Sequence, residues 1–223
     1  MKERVDRIRR KWLAHAPELW WGDRLDARFL VIGPLNSLSG ERVLDVGCNA
    51  GIMLSEIPAT NQRFGIDRSP AAIDLARTLN PEVPITLGDM LELPFRDGSM
   101  DVIVFCGMLE VPPDGSKGRA MAEVARVLRP GGRLLLTTLN RRYRRYRNTT
   151  ELHAVTFEEL QALLEPSFDH EIMGFNPFPP FPYFLPNRLL ARVPGIWGIL
   201  HRLMERKIGL KSTCSYYVEA VRK

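Results

Sequence analysis

Residues 41–51, ERVLDVGCNAG, decide the architecture. Val43, Leu44 and Val46 form a short apolar run that ends at Gly47, the texture of a strand buried on both faces. Gly47 and Gly51 fall where that strand hands over to a helix. Glycine there lets main-chain amides approach a ligand, and the first N–H groups of a helix lack partners. The loop is not built for phosphate, because an acid, Asp45, stands at the strand's end and no lysine follows the glycines.

Outward from this stretch the pattern repeats. FGID (64–67) reads as a second strand, followed by a helix starting at Ser69-Pro70 and running through AAIDLARTL. PITLGD (84–89), MDVIVFCG (100–107) and GGRLLLTTL (131–139) are further strands, with a helix over 116–128 between the last two. TFEELQALLE is a helix whose Thr156 and Glu159 are spaced as a capping box. A strand around 169–173 follows, and the alternation in SYYVEAVRK suits a final antiparallel strand. Strands alternating with helices predict an α/β fold, a doubly wound and mostly parallel seven-stranded sheet with an antiparallel last strand. Ligands of such sheets sit beyond the carboxyl ends of the strands.

Three acids fall at that rim. Asp45, Asp67 and Asp89 end three successive strands, and Asp67 lies 22 residues beyond Asp45. They would repel a pyrophosphate and favour a cationic ligand that carries a ribose and no phosphate, for which a sulfonium is suited. The two glycines by themselves are a weak signal that could also belong to a nicotinamide site, so that fold-mate is set aside by the acids around the loop and not by the glycines.

VLDVGCNAG, FGIDRS, TLGDMLELPFRDGSMDVIVFCGMLEVPP and LRPGGRLLLTT resemble, in order and spacing, the class I S-adenosylmethionine-dependent methyltransferases of the small-molecule, ubiquinone-biosynthesis-like branch. The match is close over 41–139 and topological elsewhere. The resemblance implies a Rossmann-like fold and S-adenosyl-L-methionine as cofactor. It places Asp45, Gly47, Cys48, Asn49 and Gly51 around the methionine part, with Asn49 where the family often has glycine. It has Asp67 accept both ribose hydroxyls, Arg68 flank the adenine, Asp89 and Met90 meet the adenine amino group, and Cys106 and Gly107 line the site near the methyl. Members frequently show a histidine pair where this chain has Glu110 and Val111.

Composition bounds the rest. With 223 residues, 45% apolar and 26% charged, the chain is an ordinary globular protein. We expect one domain, with an N-terminal helical cap over 1–39, the cofactor-binding core over 40–175, an apolar and basic lid insertion over 176–213, and the last strand over 214–223. No run approaches the ~20 apolar residues of a membrane span, and MKERVDRIRRKW lacks the apolar stretch of a secretory signal, so a cytoplasmic location is expected. Cys48, Cys106 and Cys214 form no CxxC pair and read as reduced thiols. His15, His153, His170 and His201 have no metal-ligand spacing, and no metal is expected.

Charge sits in the flanks. Residues 1–24 carry seven basic and four acidic side chains, 25–140 eleven and fourteen, and 141–223 thirteen and eight. The run RRYRRYR (141–147) combines cations with rings; besides a plain solvated loop, it suits an anionic small substrate, an anionic membrane surface or, with less weight, RNA. Residues 189–210 put Ile196, Trp197, Leu200, Leu203 and Met204 on one helical face, fit to pack on the core or to lie at a lipid surface. The candidate catalytic groups are Glu110, which follows the fourth strand, and His153, in the loop after the fifth; each also has a structural reading. The expected activity is methyl transfer to a small, partly hydrophobic acceptor. An RNA methyltransferase and an inactive cofactor-binding module are the alternatives.

Overall fold

A computed structural model describes residues 31, 33–142, 153–175, 213 and 215–223. The expectations for most of the N-terminal cap, for residues 143–147 of the arginine-tyrosine run, for the 176–212 insertion, and for His15, His201 and Cys214 lie outside the described residues.

Seven strands form one sheet: β1 (Arg42–Val46), β2 (Gln62–Asp67), β3 (Ile85–Leu87), β4 (Met100–Cys106), β5 (Leu128–Leu139), β6 (Phe168–Phe175) and β7 (Ser215–Arg222). Their spatial order is β3-β2-β1-β4-β5-β7-β6. β1 to β5 pair in parallel, and β7 runs antiparallel between β5 and β6. The doubly wound sheet with an antiparallel last strand is therefore present, and the chain reverses direction across the sheet between β1 and β4, where ligands of open α/β sheets bind.

Both faces are covered because the central strands have apolar residues on both. Leu44, Val46, Ile103, Phe105, Leu134 and Leu136 pack with Ala120, Met121 and Val124 of α3 (Lys117–Val127) and Leu160 and Leu164 of α4 (Phe157–Leu164). Val43, Val102, Val104 and Leu135 pack on the other face with Leu54 of α1 (Ile52–Glu56), Ile73 and Ala76 of α2 (Pro70–Leu79), and Val31, Leu35 and Leu38. α2 begins where its sequence says: Ser69 accepts a hydrogen bond from the Ala72 amide, and Pro70 occupies the first turn. The Thr156–Glu159 capping box at α4 is formed in both directions.

One boundary differs. β5 begins at Leu128, three residues before the expected start, because Leu128 pairs with Met100 ahead of a register shift, and the Pro130-Gly131-Gly132 sequence is absorbed into the strand rather than forming a separate turn.

Candidate active site

The loop after β1 is closed by backbone geometry. The Gly47 and Cys48 amides both donate to the Ile66 carbonyl of β2, at 2.8 and 3.0 Å. Gly47 has φ 74° and Gly51 φ 73°, the left-handed region in which a β-carbon is strained. Space forbids a side chain at both as well: a β-carbon at 47 would strike the Met108 thioether, and one at 51 would lie 2.6 Å from Asn80 Nδ2. Between them Asn49 also takes a positive φ, 47°. Its Oδ1 accepts from the Ala50 amide at 2.7 Å, and asparagine tolerates this conformation better than most residues.

Asp67 organises the same loop from β2. Oδ2 accepts from the Asn49 amide and Oδ1 from the Ser69 amide, each at 2.9 Å, with the carboxylate half-buried. Asp45 is more enclosed, at 4% exposure, and its buried Oδ2 has no hydrogen-bond partner among the described residues. Burial first, and the neighbouring Asp67 charge second, push its carboxyl up to about 7. The Cys48 thiol is also pushed up, by burial and then by Asp45 and Asp67, so it stays a neutral group within the loop.

The remaining predicted positions share the same rim. Asp89 is exposed just beyond β3, with Oδ1 held by the Leu91 amide at 2.9 Å, while the Met90 side chain is buried among Leu93 and Met100. Arg68 is exposed beside Asp67. Cys106 ends β4 half-buried, and Gly107, with φ 66°, donates to the Thr137 carbonyl at 2.9 Å. Glu110 is buried at 2% exposure; its Oε2 accepts from Thr138 Oγ1 at 2.9 Å and its carbonyl from the His153 amide at 2.9 Å. The two candidate catalytic residues are therefore brought together through the main chain, with the His153 side chain half-buried.

Several residues that shape the site had no local signal. Asn80 caps α2 and, from 29 residues away, donates through Nδ2 to the Gly51 carbonyl at 2.9 Å. Met108 covers Gly47. Thr138 holds Glu110 across strands. Arg126 binds the segment after Asp89: it donates to the Leu93 and Phe95 carbonyls and to Asp97 and Glu123 at 2.7 to 2.9 Å.

Comparison with known proteins gives this rim a family. The methyltransferase-domain family model matches residues 44–136. A ubiquinone biosynthesis O-methyltransferase of Aromatoleum aromaticum is 30% identical over 178 residues, covering 73% of this chain and 72% of the relative. A phthiotriol/phenolphthiotriol dimycocerosates methyltransferase of Mycobacterium ulcerans is 40% identical over 107 residues, 46% of this chain and 39% of that protein. Coverage of the curated relatives' own length varies widely and drops to about a third, 32%, for a transposon-encoded protein of Streptomyces fradiae. In fold, the chain is similar to an S-adenosylmethionine-dependent methyltransferase of Mesorhizobium loti, with a TM-score of 0.62 at 19% identity over 87% of this chain and 96% of that one. The sheet order, the glycine loop and the 30%-identical relative agree: this chain belongs to the class I methyltransferases, the enzymes that take S-adenosyl-L-methionine as cofactor.

Proposed function

We propose that the protein transfers a methyl group from S-adenosylmethionine to a small acceptor with an apolar body. The observation that carries this is the acid rim, Asp45, Asp67 and Asp89 at the ends of β1, β2 and β3 around a loop with three positive φ angles. The residues present fit the cofactor. The Asp45 oxygen lacks a partner and calls for a cation or donor, and the crevice floor at Gly47 and Gly51 admits no side chain. When bound, the cofactor supplies an electrophilic methyl on a sulfonium.

In this reading the chain's own residues bind, orient and exclude water. Asp67 accepts the ribose hydroxyls with the oxygen lone pairs left over after its two backbone bonds. Asp45, Gly47, Cys48, Asn49 and Gly51 take the methionine part, Arg68, Asp89 and Met90 the adenine end, and Cys106 and Gly107 the side near the methyl. Holding the nucleophile in line at contact distance supplies most of the rate. Glu110, oriented by Thr138, takes the acceptor's proton where the acceptor is a hydroxyl or amine, with His153 as the more accessible neighbour.

A small-molecule acceptor is supported by relatives named for ubiquinone biosynthesis and for phthiotriol dimycocerosates. It is supported also by the start of the arginine run, whose first two cations are engaged internally. Arg141 pairs with Asp114 and Glu159 at 3.1 Å and donates to the Ala154 carbonyl, and Arg142 pairs with Glu158 at 3.4 Å. That leaves less charge for a nucleic-acid backbone or an anionic membrane. Among the described residues no helix is long and apolar enough to cross a membrane.

Calorimetric titration with S-adenosylmethionine and with a nicotinamide dinucleotide tests the cofactor, and transfer of radiolabelled methyl to fractionated small-molecule extracts tests the reaction. Asp67→Asn is expected to weaken cofactor binding about tenfold; unchanged affinity removes Asp67 from the site. Glu110→Gln is expected to lower kcat about 100-fold with cofactor affinity kept. Full turnover in that variant assigns Glu110 to holding the rim instead.

A further inference from the structure

Among the described residues, Asp45 is enclosed without a compensating charge or donor to its buried oxygen. Its register partners, Gly65 on β2 and Val104 on β4, bring no charge. The helices over this face, α1 and α2, turn Leu54, Ile73 and Ala76 toward it. Among the described residues, the titratable groups that interact with it electrostatically are Asp67 from β2 and Cys48 from the loop, and neither is a cation. Asp67 accepts from two amides, those of Asn49 and Ser69. A carboxylate buried beside a second acid, with no donor to its enclosed oxygen among the described residues, is costly to ionise, so Asp45 is the one that keeps a proton.

We infer that Asp45 is a neutral acid before the cofactor binds, and that the cofactor's amino-acid cation ionises it on arrival, so that cofactor loading is coupled to release of one proton to solvent. The inference rests on reading this crevice as the S-adenosylmethionine site. Proton balance is simple: the Asp45 carboxyl becomes a carboxylate paired with the incoming ammonium, and the proton passes to buffer. The shift of the Asp45 carboxyl to about 7, caused by burial and then by Asp67, supports the same direction. Below that pH the ligand's α-amino group, with an ordinary pKa of about 8, stays cationic, so the proton counted comes from the protein.

The test is calorimetry of the full chain with two probes, in buffers of different ionisation enthalpy. S-adenosylhomocysteine carries the amino-acid cation, and 5′-methylthioadenosine keeps the adenosine and sulfur without it. At pH 6 the first is expected to release close to one proton and the second none, since contributions from the shared adenosine cancel. Affinity for S-adenosylhomocysteine is expected to weaken roughly fivefold from pH 7 to pH 6, and about tenfold per unit below that. Asp45→Asn is expected to abolish both the release and the pH dependence. Equal release with both probes, or release that persists in Asp45→Asn, overturns the inference while leaving the cofactor site standing. If neither probe binds, the cofactor reading itself falls, and this inference with it. The two-probe comparison needs only the wild-type protein, so it decides the matter even if the variant does not fold.

Discussion

At position 49 the chain puts asparagine into a left-handed backbone conformation that the flanking glycines adopt freely. Two effects oppose there. The side chain adds strain that glycine lacks, and it returns a hydrogen bond to the Ala50 amide. Asn49→Gly is therefore expected to be close to neutral, and Asn49→Ala, which keeps the strain and loses the bond, to cost about 1–2 kcal/mol; urea unfolding midpoints of the two variants give the comparison. The sequence marked Asn49 as a departure from the family pattern, and the dihedral shows what the usual glycine is for. Asp45, Asp67, Gly47 and Gly51 were legible because strand-end acids and loop glycines announce themselves locally. Asn80 was not: an asparagine after a helix is an ordinary stop, and its bond to Gly51 spans 29 residues. The Thr138–Glu110 bond, 28 residues long, was hidden for the same reason.

Elements made of continuous apolar runs could be read directly, since a parallel strand buried on both faces leaves no other pattern. Their limits were harder, as at β5, where glycine and proline signalled a turn and the register with β4 prevailed. The segment between β3 and β4 has no regular element, and what fixes it is a side chain on α3. Arg126 grips the Leu93 and Phe95 carbonyls, Asp97 and Glu123, and Glu123 in turn accepts from the Leu93 amide at 2.7 Å. This fan of bonds uses the planar guanidinium, which raises the Arg126 pKa and lowers that of Glu123. Arg126→Ala is expected to cost about 2–3 kcal/mol, and Arg126→Lys to recover less than half of it, because an ammonium cannot reach four acceptors. Hydrogen exchange of the Leu91 and Leu93 amides checks whether the loss is local to the segment carrying Asp89.

Across the whole molecule the two ends of the sheet differ in how they treat charge. At the amino ends of the strands Asp101 accepts from the Arg42 backbone and side chain and from Arg129, at 2.6 to 2.9 Å, which holds its carboxyl well below the usual range. At the carboxyl ends the buried Asp45 Oδ2 has no such partner among the described residues. The fold thus compensates the buried acid at one end of the sheet and not the one at the other. At the carboxyl end of the sheet Phe175, last of β6, lies directly opposite Ser215, first of β7, so the connection between these two strands begins and ends at one point of the sheet. Asn140 anchors the return by donating to the Thr213 carbonyl at 2.6 Å. Replacing 176–211 by a four-residue Gly-Ser linker, which keeps Thr213, is expected to leave a folded protein with cofactor affinity within about threefold and no methyl transfer. Circular dichroism, calorimetry and the transfer assay measure the three quantities. A hairpin closed at its base in this way tolerates grafting, lengthening or loss of the intervening segment without a change in the register of a single strand, because both ends of the cut already meet.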